Sequence, residues 1–327
     1  MLMMTDEQLG NETTAKAQDW REQLDLSTPH PIPGPEAPLY HNLLAPNQWP
    51  SASHLPAFHP VISDYISRMS TLSMRFTSLI AESLSLPATA FDKYFDADQQ
   101  HKLKLVKYPS QPTSSPSSPS STAVSTPAPS NQGVGPHKDS MLTSYLLQAS
   151  PHPGLQAQNS TGKWVSCPPI TGTLVVAIGQ GLEALTSGVC ASTTHRVLSP
   201  APGTGARYSV PFFQGVSYDS SFESVDVSEE LLRARKEVVQ KCGGRMDDVE
   251  FTFVKGRWGH LGEATLWNRV KSHPDVGERW YPAILEEVRR SEGVGDEVVK
   301  NTGEGEKDDV KQGNDQAIPL IKGIEAH

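Results

Sequence analysis

The sequence predicts a mainly β fold, a sandwich or barrel flanked by helices. Between residues 103 and 213 it contains seven short apolar or alternating stretches, separated by turn-forming Pro, Gly, Asn and Ser residues. Strands at this spacing favour an antiparallel sandwich or barrel over a parallel sheet with crossover helices. Stretches with helical periodicity lie on either side of these strands. A chain of 327 residues is long enough for one large β domain with such helices.

The individual elements follow from the same patterns. The predicted strands are 103–108, 141–148, 154–158, 163–168, 173–179, 192–198 and 206–213. A helix is predicted at 57–83, where apolar residues recur at helical spacing. A second, charged and amphipathic helix is predicted at 228–241, entered through Asp226 or Ser228, and a third at 276–291. We expect these helices to buttress the barrel and to frame its mouth.

Two segments have compositions that cannot form a packed core. Residues 109–132 are rich in Ser, Pro and Thr, and residues 291–327 are polar and charged. Removing them leaves roughly 260 residues, enough for one folded domain. We therefore predict four regions: an N-terminal helical region at 1–102, a β core at 103–225 with a disordered insertion at 109–132, a C-terminal helical region at 226–290 and a disordered tail at 291–327.

Charge and composition argue against several classes of function. The net charge of −9 and the pI near 5.7 disfavour a nucleic-acid-binding surface, which is normally basic. No apolar run is long enough to cross a bilayer, and the first residues lack the pattern of a secretory signal. Three scattered cysteines, Cys167, Cys190 and Cys242, form no ligand cluster and fit a reducing compartment. We expect a cytoplasmic protein with no nucleic-acid or membrane partner, and a monomer by default.

One set of residues indicates a specific chemistry. His137 and Asp139 are two residues apart, so one extended strand would project both from the same face, and His195 lies on a later predicted strand. Two imidazoles and one carboxylate are the set that binds a catalytic iron(II) ion on one triangular face. A structural zinc site would instead have a closed shell richer in cysteine. Arg207 and Ser209, shortly after His195, could hold a carboxylate beside the metal.

The His-x-Asp motif alone does not indicate a metal site, and its position among the predicted elements decides its interpretation. With 11 His and 17 Asp residues, about 0.6 such pairs are expected by chance, and a second pair occurs at His273 and Asp275. That pair lies at a predicted helix start, and His327 in the polar tail is the one histidine that follows it. The 137/139/195 set lies among predicted strands, and this context favours it as the metal site.

Residues 137–148, 154–188 and 192–213 resemble the iron(II)/2-oxoglutarate-dependent dioxygenase superfamily. The resemblance is closest to its isopenicillin N synthase-like branch, found in fungal and plant secondary metabolism. It is densest over 133–213, where the metal-ligand pattern, a Pro-Pro-x-x-Gly turn and Arg-x-Ser occur in order. The resemblance implies a double-stranded β-helix (jelly-roll) core with flanking helices.

The resemblance also implies roles for particular residues. It implies that His137, Asp139 and His195 bind iron(II), and that Arg207 and Ser209 bind the distal carboxylate of 2-oxoglutarate. Tyr108 matches a tyrosine that often contacts the same co-substrate. The implied reaction consumes O2 and decarboxylates 2-oxoglutarate to succinate. A small organic substrate is hydroxylated, desaturated or cyclised at the same time.

The chain also departs from the family pattern. The opening strand and helix of the family are not recognisable, so we expect a shortened N-terminal region. Lys138, between two proposed ligands, is expected to point away from the metal, and Val106 stands where many plant relatives have Asn. Glu183 follows a tight Gly-Gln-Gly turn and is expected to be solvated or to cap a helix.

Two alternatives stay open at this point. Some members of the same branch oxidise their substrate without 2-oxoglutarate, and their Arg-x-Ser pair anchors a substrate carboxylate instead. The non-enzyme alternative is a catalytically inactive jelly roll that serves as an interaction module, against which the complete triad and Arg207 argue. No motif identifies the substrate.

Overall fold

Two antiparallel sheets form the centre of the computed structural model. The structure describes residues 19–95, 99–111, 131–221, 223–241 and 258–301, and it describes the side chains of these residues as far as 291. The strands are β1 (Glu22–Ser27), β2 (Lys102–Tyr108), β3 (Gln132–His137), β4 (Thr143–Gln148), β5 (Leu155–Gln158), β6 (Trp164–Ser166), β7 (Val175–Ile178), β8 (His195–Leu198) and β9 (Arg207–Gln214). The larger sheet has the strand order β1-β2-β9-β4-β7, and the smaller sheet has the order β3-β8-β5-β6. The predicted mainly β fold with a jelly-roll core is therefore confirmed.

Six α-helices accompany the sheets in the described part of the chain. They are α1 (Phe58–Ser83), α2 (Gln180–Leu185), α3 (Glu229–Lys241), α4 (Leu261–Ser272), α5 (Pro274–Trp280) and α6 (Pro282–Asn301). The predictions at 57–83 and 228–241 are confirmed, whereas α2 and α4 were not predicted. The prediction of a single helix at 276–291 is wrong, because two helices, α5 and α6, lie there on either side of Tyr281. Pro282 disfavours helical backbone at Tyr281, whose φ is −137°. Contacts assign residues from Glu286 onward, and so most of α6, to a separate unit.

Each face of the larger sheet is buried by different partners, because alternate residues of a strand point to opposite faces. The outer face packs against α1 through Leu103, Tyr145 and Phe212, which contact Ile66 and Met69 of the helix. The inner face turns toward the smaller sheet. The apolar residues between the two sheets are Val106, Tyr108, Val134, Leu146, Leu155 and Val197.

Strand β1 lies inside the region 1–102 that was expected to be helical, so this region also contributes a strand to the larger sheet. It pairs with β2 from Glu22 to Ser27, and its Leu26 joins the core beneath α1. Residues 112–130 of the predicted insertion and 302–327 of the predicted tail lie outside the described residues. The four domain boundaries stay a prediction. Among the described helices, none is long and apolar enough to cross a bilayer.

Candidate metal centre and co-substrate site

His137, Asp139 and His195 come together where β3 ends and β8 begins. His137 is the last residue of β3 and lies opposite His195, the first residue of β8, with ring centroids 4.3 Å apart. The Nε2 atoms of His137 and His195 lie 3.7 Å and 3.6 Å from the two carboxylate oxygens of Asp139. One ligand atom from each residue lies within 4.8 Å of the others, and no other His, Cys, Asp or Glu group in the described chain does this. The three side chains could therefore hold one metal ion.

A turn, and not the pleat of a strand, places the Asp139 carboxylate. Asp139 was predicted to share a strand with His137, but β3 ends at His137 and Asp139 lies two residues beyond it. The backbone carbonyl of Asp139 accepts a hydrogen bond of 2.7 Å from the amide of Gln180, at the start of α2. The Ser144 hydroxyl donates to Asp139 Oδ2 at 2.5 Å. The strand prediction for Asp139 is wrong, although the three predicted residues do meet.

Backbone carbonyls orient both imidazole rings. Nδ1 of His137 lies 2.8 Å from the carbonyl oxygen of Gly135, and Nδ1 of His195 lies 3.0 Å from that of Thr193. Because a carbonyl oxygen only accepts, Nδ1 carries the proton in each ring and Nε2 turns its lone pair toward Asp139. Lys138, expected to point away from the metal, is itself buried at 6% exposure.

The electrostatics of the cluster favour the protonation states that bind a cation. Burial and the neighbouring imidazole of His195 lower the pKa of His137 to about 4. Burial opposes ionisation of Asp139, but His195, His137 and the Ser144 hydroxyl together hold the pKa of its carboxyl below the ordinary value. At neutral pH, His137 is therefore a neutral base and Asp139 is a carboxylate.

Arg207 forms a second polar site on the inner face of the larger sheet. It is 1% exposed, and its Nη2 donates to Gln148 Oε1 at 3.0 Å. Its guanidinium lies over the ring of Tyr108, with Cζ 5.1 Å from the ring centroid. Its Nε and Nη1 atoms are buried and have no hydrogen-bond partner. Leaving charged donors unpaired in the interior is costly, so this arrangement fits an anionic ligand with two acceptor oxygens.

The register of the strands brings the other predicted co-substrate residues to Arg207. Tyr108 lies directly opposite Arg207 in the β2–β9 pairing. Ser209 follows two residues later on β9, so it shares the inner face, where its hydroxyl lies 3.5 Å from the carbonyl oxygen of Leu147. The two nitrogen donors and one carboxylate of the triad suit iron(II), and Arg207 suits a carboxylate. The residues present therefore fit both iron and 2-oxoglutarate.

Three polar residues that support the site were not predicted as such. Ser144 and Gln148 point inward from β4, and Gln148 Nε2 also donates to the carbonyl oxygen of Cys167 at 3.1 Å. Their even spacing, which puts both on one face of the strand, is the signal that could have identified them. Glu183, expected to be solvated or capping, is instead 3% exposed. Its carboxylate accepts hydrogen bonds from the amide and hydroxyl of Ser192, in the loop that leads to His195.

Comparison with known proteins agrees with this geometry. A 2-oxoglutarate-dependent dioxygenase, frbJ, of Dothideomycetidae sp. (strain 11243) is 64% identical over 86% of this chain and 73% of its own length. A 2-oxoglutarate-dependent dioxygenase of Gibberella zeae is 33% identical over 85% of this chain and 72% of its own length. A full-length Neurospora crassa protein, crystallised with alpha-KG, shares the fold with a TM-score of 0.52 at 23% identity, over 70% of this chain and 67% of that one. The profile of the 2OG-Fe(II) oxygenase superfamily matches residues 100–216, and the chain belongs to this superfamily of iron- and 2-oxoglutarate-dependent oxidoreductases.

Proposed function

We propose that His137, Asp139 and His195 bind the iron(II) ion of this oxygenase and that Arg207, Ser209 and Tyr108 hold its 2-oxoglutarate. The enzyme would then oxidise a C–H bond of a small organic substrate by hydroxylation, desaturation or ring closure. For hydroxylation, one O2 supplies one oxygen atom to the substrate and one to succinate, and CO2 leaves. The observation that carries the co-substrate assignment is the pair of unpartnered, buried donors on Arg207.

The chain's own residues prepare this chemistry in three ways. When bound, iron(II) supplies O2 activation, with 2-oxoglutarate as the source of two electrons. The hydroxyl of Ser144 and the carbonyls of Gly135 and Thr193 hold the ligand atoms of the triad in one orientation. Gln148 and the ring of Tyr108 hold the guanidinium of Arg207, so that a carboxylate meets a rigid fork of donors.

Burial of these side chains also keeps water from the anchor. Arg207, Tyr108 and Ser209 are all buried. In such surroundings a charge-assisted hydrogen bond is stronger than in water, so a dicarboxylate bound there is held in a single position. Orientation of the co-substrate by the protein is therefore the main contribution of the inner face of β9.

The test compares the triad with the second His-x-Asp pair. We expect Asp139→Ala to abolish stoichiometric iron(II) binding under anaerobic conditions and the release of succinate from 2-oxoglutarate. Asp275→Ala, on α5, is the matched control and should leave both unchanged. Iron binding and succinate release that survive in both His137→Ala and Asp139→Ala would overturn the metal assignment. O2 consumption with no requirement for 2-oxoglutarate would overturn the co-substrate assignment.

We further propose a cytoplasmic enzyme with a small-molecule substrate and no nucleic-acid or membrane partner, monomeric by default. The acidic pI near 5.7 supports the absence of a nucleic-acid partner, and Cys167 and Cys190 are free thiols, as a reducing compartment requires. Cell fractionation and size-exclusion chromatography test these points, and a membrane-bound or dimeric protein would contradict them.

A further inference from the structure

The carbonyl oxygen that orients His137 lies in an irregular part of strand β3. Between Val134 and His137 the register of β3 and β8 shifts, because β3 has two residues in this interval, Gly135 and Pro136, and β8 has one. Such a β-bulge leaves a residue outside the regular ladder. Glycine restricts the backbone little, and proline has no amide hydrogen to donate. Pairing with β8 therefore does not by itself fix the Gly135 carbonyl.

A buried carboxylate just before β1 contacts this part of β3. Asp19 is 1% exposed, and its Oδ1 accepts two hydrogen bonds of 2.9 Å, one from the amide of Gly135 and one from Nε2 of Gln132. Nη2 of Arg21 lies 3.4 Å from Asp19 Oδ2 and balances the charge. The amide of Trp20 also donates to the carbonyl oxygen of Gln132 at 3.0 Å. The segment before β1 therefore lies along the edge strand of the smaller sheet.

A chain of two hydrogen bonds connects Asp19 to the metal centre. The Gly135 amide donates to Asp19, and the Gly135 carbonyl accepts from Nδ1 of His137 at 2.8 Å. On the other side of the ring, Nε2 of His137 lies 3.7 Å from the carboxylate of Asp139. The position of the buried Asp19 carboxylate therefore determines where the Gly135 carbonyl meets the ring.

Stability alone explains the carboxylate at position 19 poorly. Burying an ion pair removes both partners from water, and apolar side chains of similar volume are often equally stabilising. A carboxylate does, however, accept stronger hydrogen bonds than a neutral group, and it accepts several at once. Asp19 therefore fixes the amide of Gly135 more firmly than a neutral acceptor would, at the point where the bulge interrupts the ladder.

We propose that Asp19 is a positioning residue for the iron ligand His137. By holding Gly135, it keeps in place the carbonyl that binds the Nδ1 proton, so that the Nε2 lone pair is directed toward the metal. The inference rests on the proposed function, because it takes His137 as an iron ligand. It adds to the site a residue that lies outside residues 100–216, the part of the chain that the superfamily profile matches.

The experiment compares two variants of the full-length enzyme that differ only at position 19. Both carry Arg21→Met, so that neither contains an unpaired arginine charge. One also carries Asp19→Asn, which keeps an oxygen that can accept from the Gly135 amide. The other carries Asp19→Leu, which has nearly the same shape but no acceptor. If the Asp19→Leu protein does not fold, Asp19→Ala, which also lacks an acceptor, replaces it.

Three measurements separate positioning from stability. Denaturant unfolding of the metal-free proteins gives their stability. Chelator competition under anaerobic conditions gives the iron(II) affinity. Nitrogen NMR of the His137 ring in the metal-free proteins gives its tautomer, which a loss of stability alone does not change.

We expect the Asp19→Leu protein to bind iron(II) about 10-fold more weakly than the Asp19→Asn protein, the lower end of the range for residues that orient metal ligands. His137 should carry its proton on Nδ1 in wild type and in the Asp19→Asn protein, whereas both tautomers should be present in the Asp19→Leu protein. An unchanged tautomer, or equal iron(II) affinity where wild type binds iron, overturns the inference. If wild type binds no iron(II), the metal assignment fails, and the tautomer alone shows whether Asp19 orients His137.

Discussion

Replacing Arg207 by Met tests separately how this residue affects the free energy of unfolding and the affinity for 2-oxoglutarate. In the protein without 2-oxoglutarate, Arg207 is 1% exposed and two of its donor atoms have no partner. An unsatisfied buried group costs about 1–3 kcal/mol, more when it is charged. Met has a similar length and removes that cost, whereas the loss of the bond to Gln148 costs about 1 kcal/mol. We therefore expect the free energy of unfolding of the ligand-free variant to equal or exceed that of wild type.

The affinity for 2-oxoglutarate should change in the opposite direction. Losing a charged hydrogen-bonding partner is worth about 1.5–3 kcal/mol, which corresponds to roughly a 10- to 150-fold weaker dissociation constant. Anaerobic titration of the iron-loaded protein measures this affinity, and denaturant unfolding with and without 2-oxoglutarate measures stability. Iron should stay bound in the variant. Arg196→Met is the control, because Arg196 is also a strand arginine but stacks on Trp164 and donates to Gln156.

Two results would refute this reasoning. If the ligand-free Arg207→Met protein is less stable than wild type by more than about 2 kcal/mol, Arg207 has a structural role that its unpaired donors do not reveal. If its affinity for 2-oxoglutarate falls less than threefold, the carboxylate anchor is elsewhere.

Three further predictions concern the metal site and its surroundings. Ser144→Ala removes the hydrogen bond to Asp139 and should weaken iron(II) binding about 10- to 100-fold, measured by chelator competition. The pKa of His137 falls from 6.5 to about 4 on folding, so the unfolded chain binds more protons between these values. The stability of the metal-free protein should therefore fall as pH falls from 6.5 to about 4. His137→Gln should reduce that dependence in denaturant unfolding, and the remainder comes in part from buried His101, whose pKa is also lowered to about 4. Gly154 has a φ of +155° and an added Cβ would lie 2.6 Å from the carbonyl oxygen of Leu198, so Gly154→Ala should lower the unfolding temperature, and an unchanged value would contradict the clash.

Seven of the nine described strands and the helices α1 and α3 could be predicted because their signals are local. Alternation of apolar residues identified β2, β4 and β9, and helical periodicity identified α1. Strand β1 was not predicted because its sequence, EQLDLS, is short and half polar. It also pairs with β2, a strand that lies far from it in the sequence. Such pairing depends on tertiary context, which single-sequence patterns do not contain.

In the candidate site, too, the residue types could be predicted from the sequence, whereas the contacts between distant segments could not. The residue types and order of His137, Asp139, His195 and Arg207 sufficed to select them, since few chemistries use this set. The means by which Asp139 reaches the imidazoles was mispredicted, because the turn after β3 is held by a backbone hydrogen bond to Gln180, which has no residue-type signature.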